Sequence, residues 1–190
     1  NIQNWIANIQ VSQMTPYSDK SIAVATGFYK LFDSLQTNIY KIVDELVRKY
    51  NTNQLLITGH SLGAALSTLN AFDILYYQKD YKIYALITFG SPRVGNKEFT
   101  KQFESYNIYS KRVTHYYDIV PHVPEEFLGY RHISQEVWYN EPNTEYTLCN
   151  DGNGSEDDKC SNSCSPTKCT STSDHLDYLQ IKMGEEGYCW

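Results

Sequence analysis

Leu55-Leu56-Ile57-Thr58 runs into Gly59-His60-Ser61-Leu62-Gly63 and continues with Ala64, Ala65, Leu66, Leu69, Ala71, Phe72, Ile74 and Leu75. A short apolar run with a β-branched residue, a glycine-bounded turn and apolar residues at helical spacing predict a buried strand, a turn and a helix. The pattern G-x-S-x-G falls at their junction. A serine in so tight a turn takes a strained backbone conformation, so small residues are expected two positions to either side. Gly59 and Gly63 meet that need, and Ala64 and Ala65 let the helix cross close to the strand. The turn lifts the Ser61 hydroxyl out of the sheet. It also aims the first N–H groups of the helix at whatever Ser61 attacks, where they favour a developing oxyanion. Ser61 is the expected nucleophile.

The 190 residues are enough for one domain with a substantial core, and 20% charged against 41% hydrophobic reads as globular. A net charge of −6 supplies no basic face and argues against phosphate-led binding to nucleic acid. Much of it is local. Glu141, Glu145, Asp151, Glu156, Asp157 and Asp158 face only Lys159 within 141–160, which reads as a solvated loop face. No window of about 18 apolar residues is present, so no membrane-spanning helix is expected. The chain starts at Asn1 without Met, and a signal peptide is expected upstream.

All five cysteines lie in the last quarter, with Cys149, Cys160, Cys164 and Cys169 in a polar loop over 149–169 and Cys189 beyond it. No C-x-x-C occurs and no histidine lies within the loop. Disulfides in a secreted protein are therefore expected rather than a metal site, and no cofactor is implied. The odd count calls for a partner upstream of Asn1.

Ile2, Trp5, Ile6 and Ile9 fall on one face of an amphipathic helix over 1–10. Such a face either packs into the core or is a mobile flap that opens onto lipid, and composition leaves both open. Residues 11–21 read as a loop. A long helix over 25–50 is expected to pack through Phe28, Leu31, Phe32, Leu35, Ile39, Ile42, Val43 and Leu46. Strands are expected over 81–89, 111–117 and 130–137, and a short helix near 96–106. Helices alternating with strands in this order predict an α/β fold, a mainly parallel sheet covered on both faces. Right-handed crossovers then bring Ser61, Gly90-Ser91 and Asp118 to one carboxyl edge.

A nucleophilic serine needs an imidazole to take its proton and a carboxylate to hold that imidazole, in the chain order Ser, acid, His. Asp118 directly follows a strand and is better placed than Asp73 or Asp80. Of the five histidines, His60 points away across the turn and His115 lies in a strand. His122 reads as a cleft residue, His132 as a strand residue, and His175 follows the cysteine loop where the base belongs. Placement favours His175.

These residues resemble the class 3 (filamentous-fungal-type) triacylglycerol lipases and the related feruloyl esterases, along almost the whole chain. The likeness is carried by Asn4-Trp5-Ile6-Ala7, Thr26-Gly27-Phe28, Gly59-His60-Ser61-Leu62-Gly63, Gly90-Ser91-Pro92-Arg93-Val94-Gly95, Asp118-Ile119-Val120-Pro121-His122-Val123-Pro124 and Asp174-His175-Leu176-Asp177-Tyr178. The resemblance implies an α/β-hydrolase fold whose N-terminal strands are missing, forming a single partial domain over 1–190. It implies a Ser61–His175–Asp118 triad, an oxyanion donor in the Leu62 N–H with a second donor upstream, and a lid over 1–10 carrying Trp5, Ile6 and Ile9. It further suggests Cys149–Cys160 and Cys164–Cys169 bridges, with Cys189 paired upstream. The function it implies is a secreted, monomeric hydrolase of lipid esters at an oil–water or membrane surface. A feruloyl-type esterase, a phospholipase A1 and a non-catalytic surface-binding relative are the alternatives.

Overall fold

The computed structural model describes residues 10–164 and 168–183. In chain order the elements are β1 (Gln13–Met14), β2 (Val24–Ala25), α1 (Thr26–Tyr50), β3 (Gln54–His60), α2 (Leu62–Tyr76), β4 (Lys82–Phe89), β5 (Gly95–Asn96), α3 (Lys97–Ser105), β6 (Ser110–His115), β7 (Tyr130–Arg131), β8 (Glu136–Tyr139), β9 (Tyr146–Leu148), α4 (Thr172–His175), β10 (Asp177–Tyr178) and β11 (Ile181–Lys182). The proposed lid residues Trp5, Ile6 and Ile9, and Cys189, lie outside the described residues. Among the described residues no helix is long and apolar enough to cross a membrane.

A five-stranded sheet in the order β3-β4-β6-β8-β9 organises the chain; β3, β4, β6 and β8 are parallel and β9 closes antiparallel on β8. The ladder carries one step past the strand ends, since the Ser61 N–H donates to the Phe89 carbonyl and the Gly90 N–H to the Val113 carbonyl, each at 3.0 Å. These bonds bring the chain out of β3, β4 and β6 at one level. This is the carboxyl edge at which parallel sheets gather functional side chains. A smaller antiparallel sheet, β1-β2-β5-β7, lies beside it. Its first strand falls within 11–21, which the sequence reads as loop.

The helix α2 is apolar on nearly every side, which suits a helix buried all round. Ala65, Leu69, Phe72 and Ile74 enter a core completed by Ile57, Leu86 and Phe99. Its buried charged residue is Asp73, which accepts from Tyr40 Oη at 2.9 Å and Gln36 Nε2 at 3.1 Å and so ties α1 to α2. Burial, partly offset by the Tyr40 hydrogen bond and Lys79, raises the Asp73 carboxyl above the usual range. α1 ends at Asn51, whose left-handed backbone (φ 50°) sends its N–H to Val47. Arg48 and Lys49 complement the carbonyl end of the helix.

Further sequence expectations change. Only Phe28 and Phe32 of α1 are buried; Leu31, Leu35, Ile42 and Leu46 are exposed, Ile42 by 56%. An apolar stripe marks a face able to pack, and the described residues do not cover this one. Likewise one face of β3 is open, with Leu56 62% exposed while Ile57 on the opposite face is buried. The strand expected over 130–137 is two strands, β7 and β8, broken at Gln135, whose φ is 74°. His132 sits buried in that break, its Nε2 against the Pro121 carbonyl at 2.7 Å.

The acidic run is a solvated face only in part: Glu141, Glu145 and Asp158 are exposed. Asp151 and Glu156 are buried on arginines from elsewhere in the chain. Arg93 grips Glu156 with two hydrogen bonds, Nε to Oε1 at 2.8 Å and Nη2 to Oε2 at 2.7 Å. Arg112 lies between Glu136 (3.3 Å) and Asp151 (3.4 Å). Cys149–Cys160 and Cys164–Cys169 are disulfides, as the resemblance suggests. Glu136 lies close to Cys149 and Cys160, but their sulfurs are joined to each other and so do not form a thiolate ligand set.

Candidate active site

Ser61 stands where β3 becomes α2, with φ 57° and ψ −124°, outside the regions open to ordinary L-residues. The strain follows from a strand reversing into a helix within one residue. Gly59 makes it possible, because a Cβ there would lie 2.3 Å from the Gly63 carbonyl oxygen and 2.7 Å from Ser67 Oγ. Gly63 plays a different part from the one expected. Nothing lies within 4 Å of where its Cβ would be, so the turn does not require glycine there. Helical hydrogen bonding starts with the Ala64 N–H on the Ser61 carbonyl (3.0 Å). The Leu62 and Gly63 N–H groups therefore have no intrahelical acceptor and are the positive end of the helix.

His175 and Asp118 are both fully buried. His175 Nδ1 lies 2.9 and 3.0 Å from the two Asp118 carboxylate oxygens. A carboxylate on Nδ1 fixes the proton there and leaves Nε2 with its lone pair. That Nε2 is buried and has no hydrogen-bond partner among the described residues. Ser61 Oγ makes no hydrogen bond to it, an arrangement common in sites without substrate. Asp118 also accepts from the Val120 N–H (2.8 Å) and from Tyr178 Oη (2.5 Å). Burial, and then the Asp118 charge, push the Tyr178 phenol far above its ordinary pKa and keep it a donor.

Backbone pairing delivers the histidine. The Ser171 N–H donates to the Tyr117 carbonyl (3.0 Å) and the Ile119 N–H to the Ser171 carbonyl (3.2 Å), so 171 runs parallel to 118. Ser171 then caps α4, its hydroxyl accepting from the Asp174 N–H at 3.0 Å. Two further imidazoles hold the segment. His60 Nε2 bonds the His175 carbonyl (2.8 Å) and its ring lies 4.5 Å from the His175 ring, while His115 Nδ1 bonds the Asp174 carbonyl (3.0 Å). Burial and the neighbouring His175 lower the pKa of His60, which favours the neutral ring. His60 thus packs against the base. The sequence gives no sign of this.

Gly90 closes the site from below, at φ +54°. A Cβ there would lie 2.9 Å from Asp118 Oδ2, 2.9 Å from Tyr178 Oη and 3.0 Å from His175 Nδ1. Gly90→Ala is expected to lower both thermal stability and turnover, the latter on the order of 100-fold, because a displacement of about 1 Å in a reacting group costs that much. Wild-type turnover in a folded Gly90→Ala protein would show that the three side chains need no such fit.

His122, expected to line the cleft, is buried and borders a surface cavity of ≈ 610 Å³ with Arg93, Glu126, Phe127 and Arg131; Ser61, Asp118 and His175 are not in its lining. Burial, and then the Arg93 charge, lower the His122 pKa to about 4.

Known proteins resemble this chain in sequence and in structure. The family model described as Lipase (class 3) matches residues 1–128. A lipase of Rhizopus niveus is 34% identical over 169 residues, covering 87% of this chain and 42% of the relative. A secreted mono- and diacylglycerol lipase of Fusarium solani is 38% identical over 138 residues, covering 73% of this chain and 40% of the relative. A solved triacylglycerol lipase, whose catalytic centre is described as a serine protease triad, superposes with a TM-score of 0.83 at 32% identity, over 96% of this chain and 69% of that one. The chain thus spans less than half the length of these two sequence relatives.

Proposed function

We propose, from the premise that this chain belongs to the class 3 lipase family and has its α/β-hydrolase fold, that the protein hydrolyses carboxylic esters of lipids through Ser61, His175 and Asp118. One observation carries the reading. A fully buried Asp118–His175 pair leaves Nε2 without a partner among the described residues, the His60 ring lies 4.5 Å from the His175 ring, and the residue after His60 is a serine held in a strained strand-to-helix turn. A binding module has no use for such a set.

His175 Nε2 accepts the Ser61 proton as Oγ attacks the ester carbonyl. The Leu62 N–H, at the start of α2, donates to the resulting oxyanion. His175 then returns the proton to the departing alkoxide. Water repeats the sequence on the acyl-enzyme, releasing the fatty acid and regenerating Ser61. Asp118 holds the Nδ1–H tautomer throughout and stabilises the imidazolium. Acyl esters of glycerol are the proposed substrates, since the relatives are named lipases and mono- and diacylglycerol lipases. Secretion is proposed from the two disulfides and from relatives named as secreted. The role of Trp5, Ile6 and Ile9 as an apolar flap rests on their helical spacing and on the family resemblance.

The test is hydrolysis of one medium-chain ester by the intact protein as the ester passes from dissolved monomers into emulsion, with an alkyl phosphonate as a second probe. A jump in rate at the emulsion and a phosphonate adduct on Ser61 are expected. A smooth saturating curve with the same adduct would replace the lipase reading with a soluble-ester esterase. No hydrolysis and no adduct would leave a surface-binding protein.

A further inference from the structure

Asn153 is the one asparagine in the sequence with a serine or threonine two positions on, in Asn153-Gly154-Ser155. That triplet is the acceptor pattern for N-linked glycan transfer, a motif whose value depends on where the fold puts it. Here it forms the tip of a two-residue hairpin. The Gly152 and Ser155 backbones exchange both hydrogen bonds at 3.0 Å, and Asn153 and Gly154 take φ of 55° and 69°. Asn-Gly is what such a turn asks for, so turn geometry alone accounts for the first two residues. It does not account for Ser155, which is exposed and whose hydroxyl makes no hydrogen bond among the described residues.

The turn is fixed from behind. Gly154 is buried on α3, where a Cβ would meet Lys97 Cγ at 2.6 Å. The Asn153 N–H donates to Glu104 Oε2 at 2.8 Å, and Asp151 accepts from the Gln135 N–H at 2.8 Å and pairs with Arg112. The Cys149–Cys160 bridge closes the loop around it. With its backbone so held, Asn153 is exposed and its side-chain amide has no partner among the described residues. The placement matters as well. Gln135 precedes β8 and Glu136 begins it, so the Asp151 anchor lies at the amino edge of the parallel strands. Ser61, Gly90 and Asp118 leave from the carboxyl edge. A bulky, hydrated group on Asn153 therefore lies across the sheet from the ester site and clear of any lipid surface that site meets.

We propose that Asn153 carries an N-linked oligosaccharide, added from a lipid-linked oligosaccharide diphosphate in the secretory pathway. Asn153 Nδ2 forms a bond to the anomeric carbon of the first sugar as that carbon's bond to the diphosphate oxygen breaks. The amide loses one proton and the lipid diphosphate departs, with no oxidant or reductant involved. The disulfides and the relatives named as secreted put the chain in the compartment where this donor is found. Asn162-Ser163-Cys164 is the near-match that serves as a control, since its third residue is bound in a disulfide.

The experiment is to secrete the intact protein from a eukaryotic host and compare its mass before and after peptide N-glycosidase treatment. Loss of one oligosaccharide is expected from the wild type, from Ser155→Thr and from Asn162→Gln, and no loss from Asn153→Gln or Ser155→Ala. Release in ¹⁸O water adds a site assignment that needs no variant. The heavy label should appear on the residue-153 peptide of the enzyme-treated sample and not on that of an enzyme-free sample kept in the same water, a comparison that separates enzymatic release from the spontaneous deamidation to which Asn-Gly is prone. A secreted wild type with no mass loss, or a label at residue 162, would overturn the proposal. Mass is the only readout, so the outcome stands apart from whether the protein hydrolyses esters.

Discussion

Replacing Ser61 with alanine is expected to lower turnover of an emulsified ester by about 10,000-fold or more, and Asp118→Asn by about 10,000-fold, with the fold intact in both. The second loss is the more instructive. An asparagine in place of Asp118 can turn its amide N–H toward His175 Nδ1, which moves the ring proton to Nε2. Nε2 then has no lone pair for the Ser61 proton, and attack stalls although each side chain is in place. Tyr178→Phe removes one donor from the Asp118 carboxylate but spares the His175 and Val120 contacts. Its cost is expected to be smaller, on the order of 10-fold, the value of one hydrogen bond to a charged group. Turnover against circular dichroism for the three variants is the measurement. If Asp118→Asn stays within tenfold of wild type, Asp118 is not what orients the base.

The largest expected loss of stability comes from the Arg93–Glu156 pair. Both side chains are almost wholly buried, at 3% and 4% exposure. Glu156→Gln leaves the Arg93 charge in the interior with weakened compensation, a change that costs about 3–5 kcal/mol when a buried pair is broken. Burial works to raise the Glu156 carboxyl, but the neighbouring His132 and Arg93, the latter through two hydrogen bonds, hold it well below the usual range. A depressed carboxylate contributes stability that is complete above the unfolded value, about 4.3, and is lost as pH falls below it. His122 adds a loss of the same sign at higher pH. Its pKa falls from 6.5 to about 4 on folding, so the folded state resists protonation that the unfolded chain accepts. Melting temperature should therefore decline gently from about pH 6.5 and steeply below about pH 4.3 in the wild type. Glu156→Gln should start lower and keep only the gentle decline. An unchanged steep limb would assign acid sensitivity to other groups. Arg93 also donates to the His122 and Pro124 carbonyls at 2.8 and 3.1 Å, so loosening it reaches the segment that leaves Asp118.

The strand, turn and helix around Ser61 could be read directly because their signals are local: apolar periods on either side and glycine at the break. Asp118 and His175 were legible through chain order, given that parallel strands share an edge. What escaped were pairings between distant residues. Glu156 and Asp151 looked like solvated acids because their arginines stand 63 and 39 positions away. His60 and His115 gave no sign that their rings hold the His175 backbone, since a histidine's neighbours in the chain do not reveal its contacts across the fold. The apolar stripe of α1 is legible in the sequence, but the described residues do not cover it. Periodicity reports which residues align on a face but not what packs against it.

The position of β3 has a mechanical consequence. It is the outermost strand of the main sheet, with β4 on one side and no strand pairing its other side among the described residues. Its seventh and last residue adjoins Ser61. The nucleophile is thus mounted at the tip of a beam clamped along one flank. Among the described residues no strand pairs the backbone groups on the free flank, which leaves them open to a chain that can add a strand. Docking such a strand would stiffen the beam along its length and damp the motion of the Ser61 hydroxyl at its end. Closing this flank and steadying the nucleophile are in that sense one event, with its cause in the sheet and its effect in the chemistry.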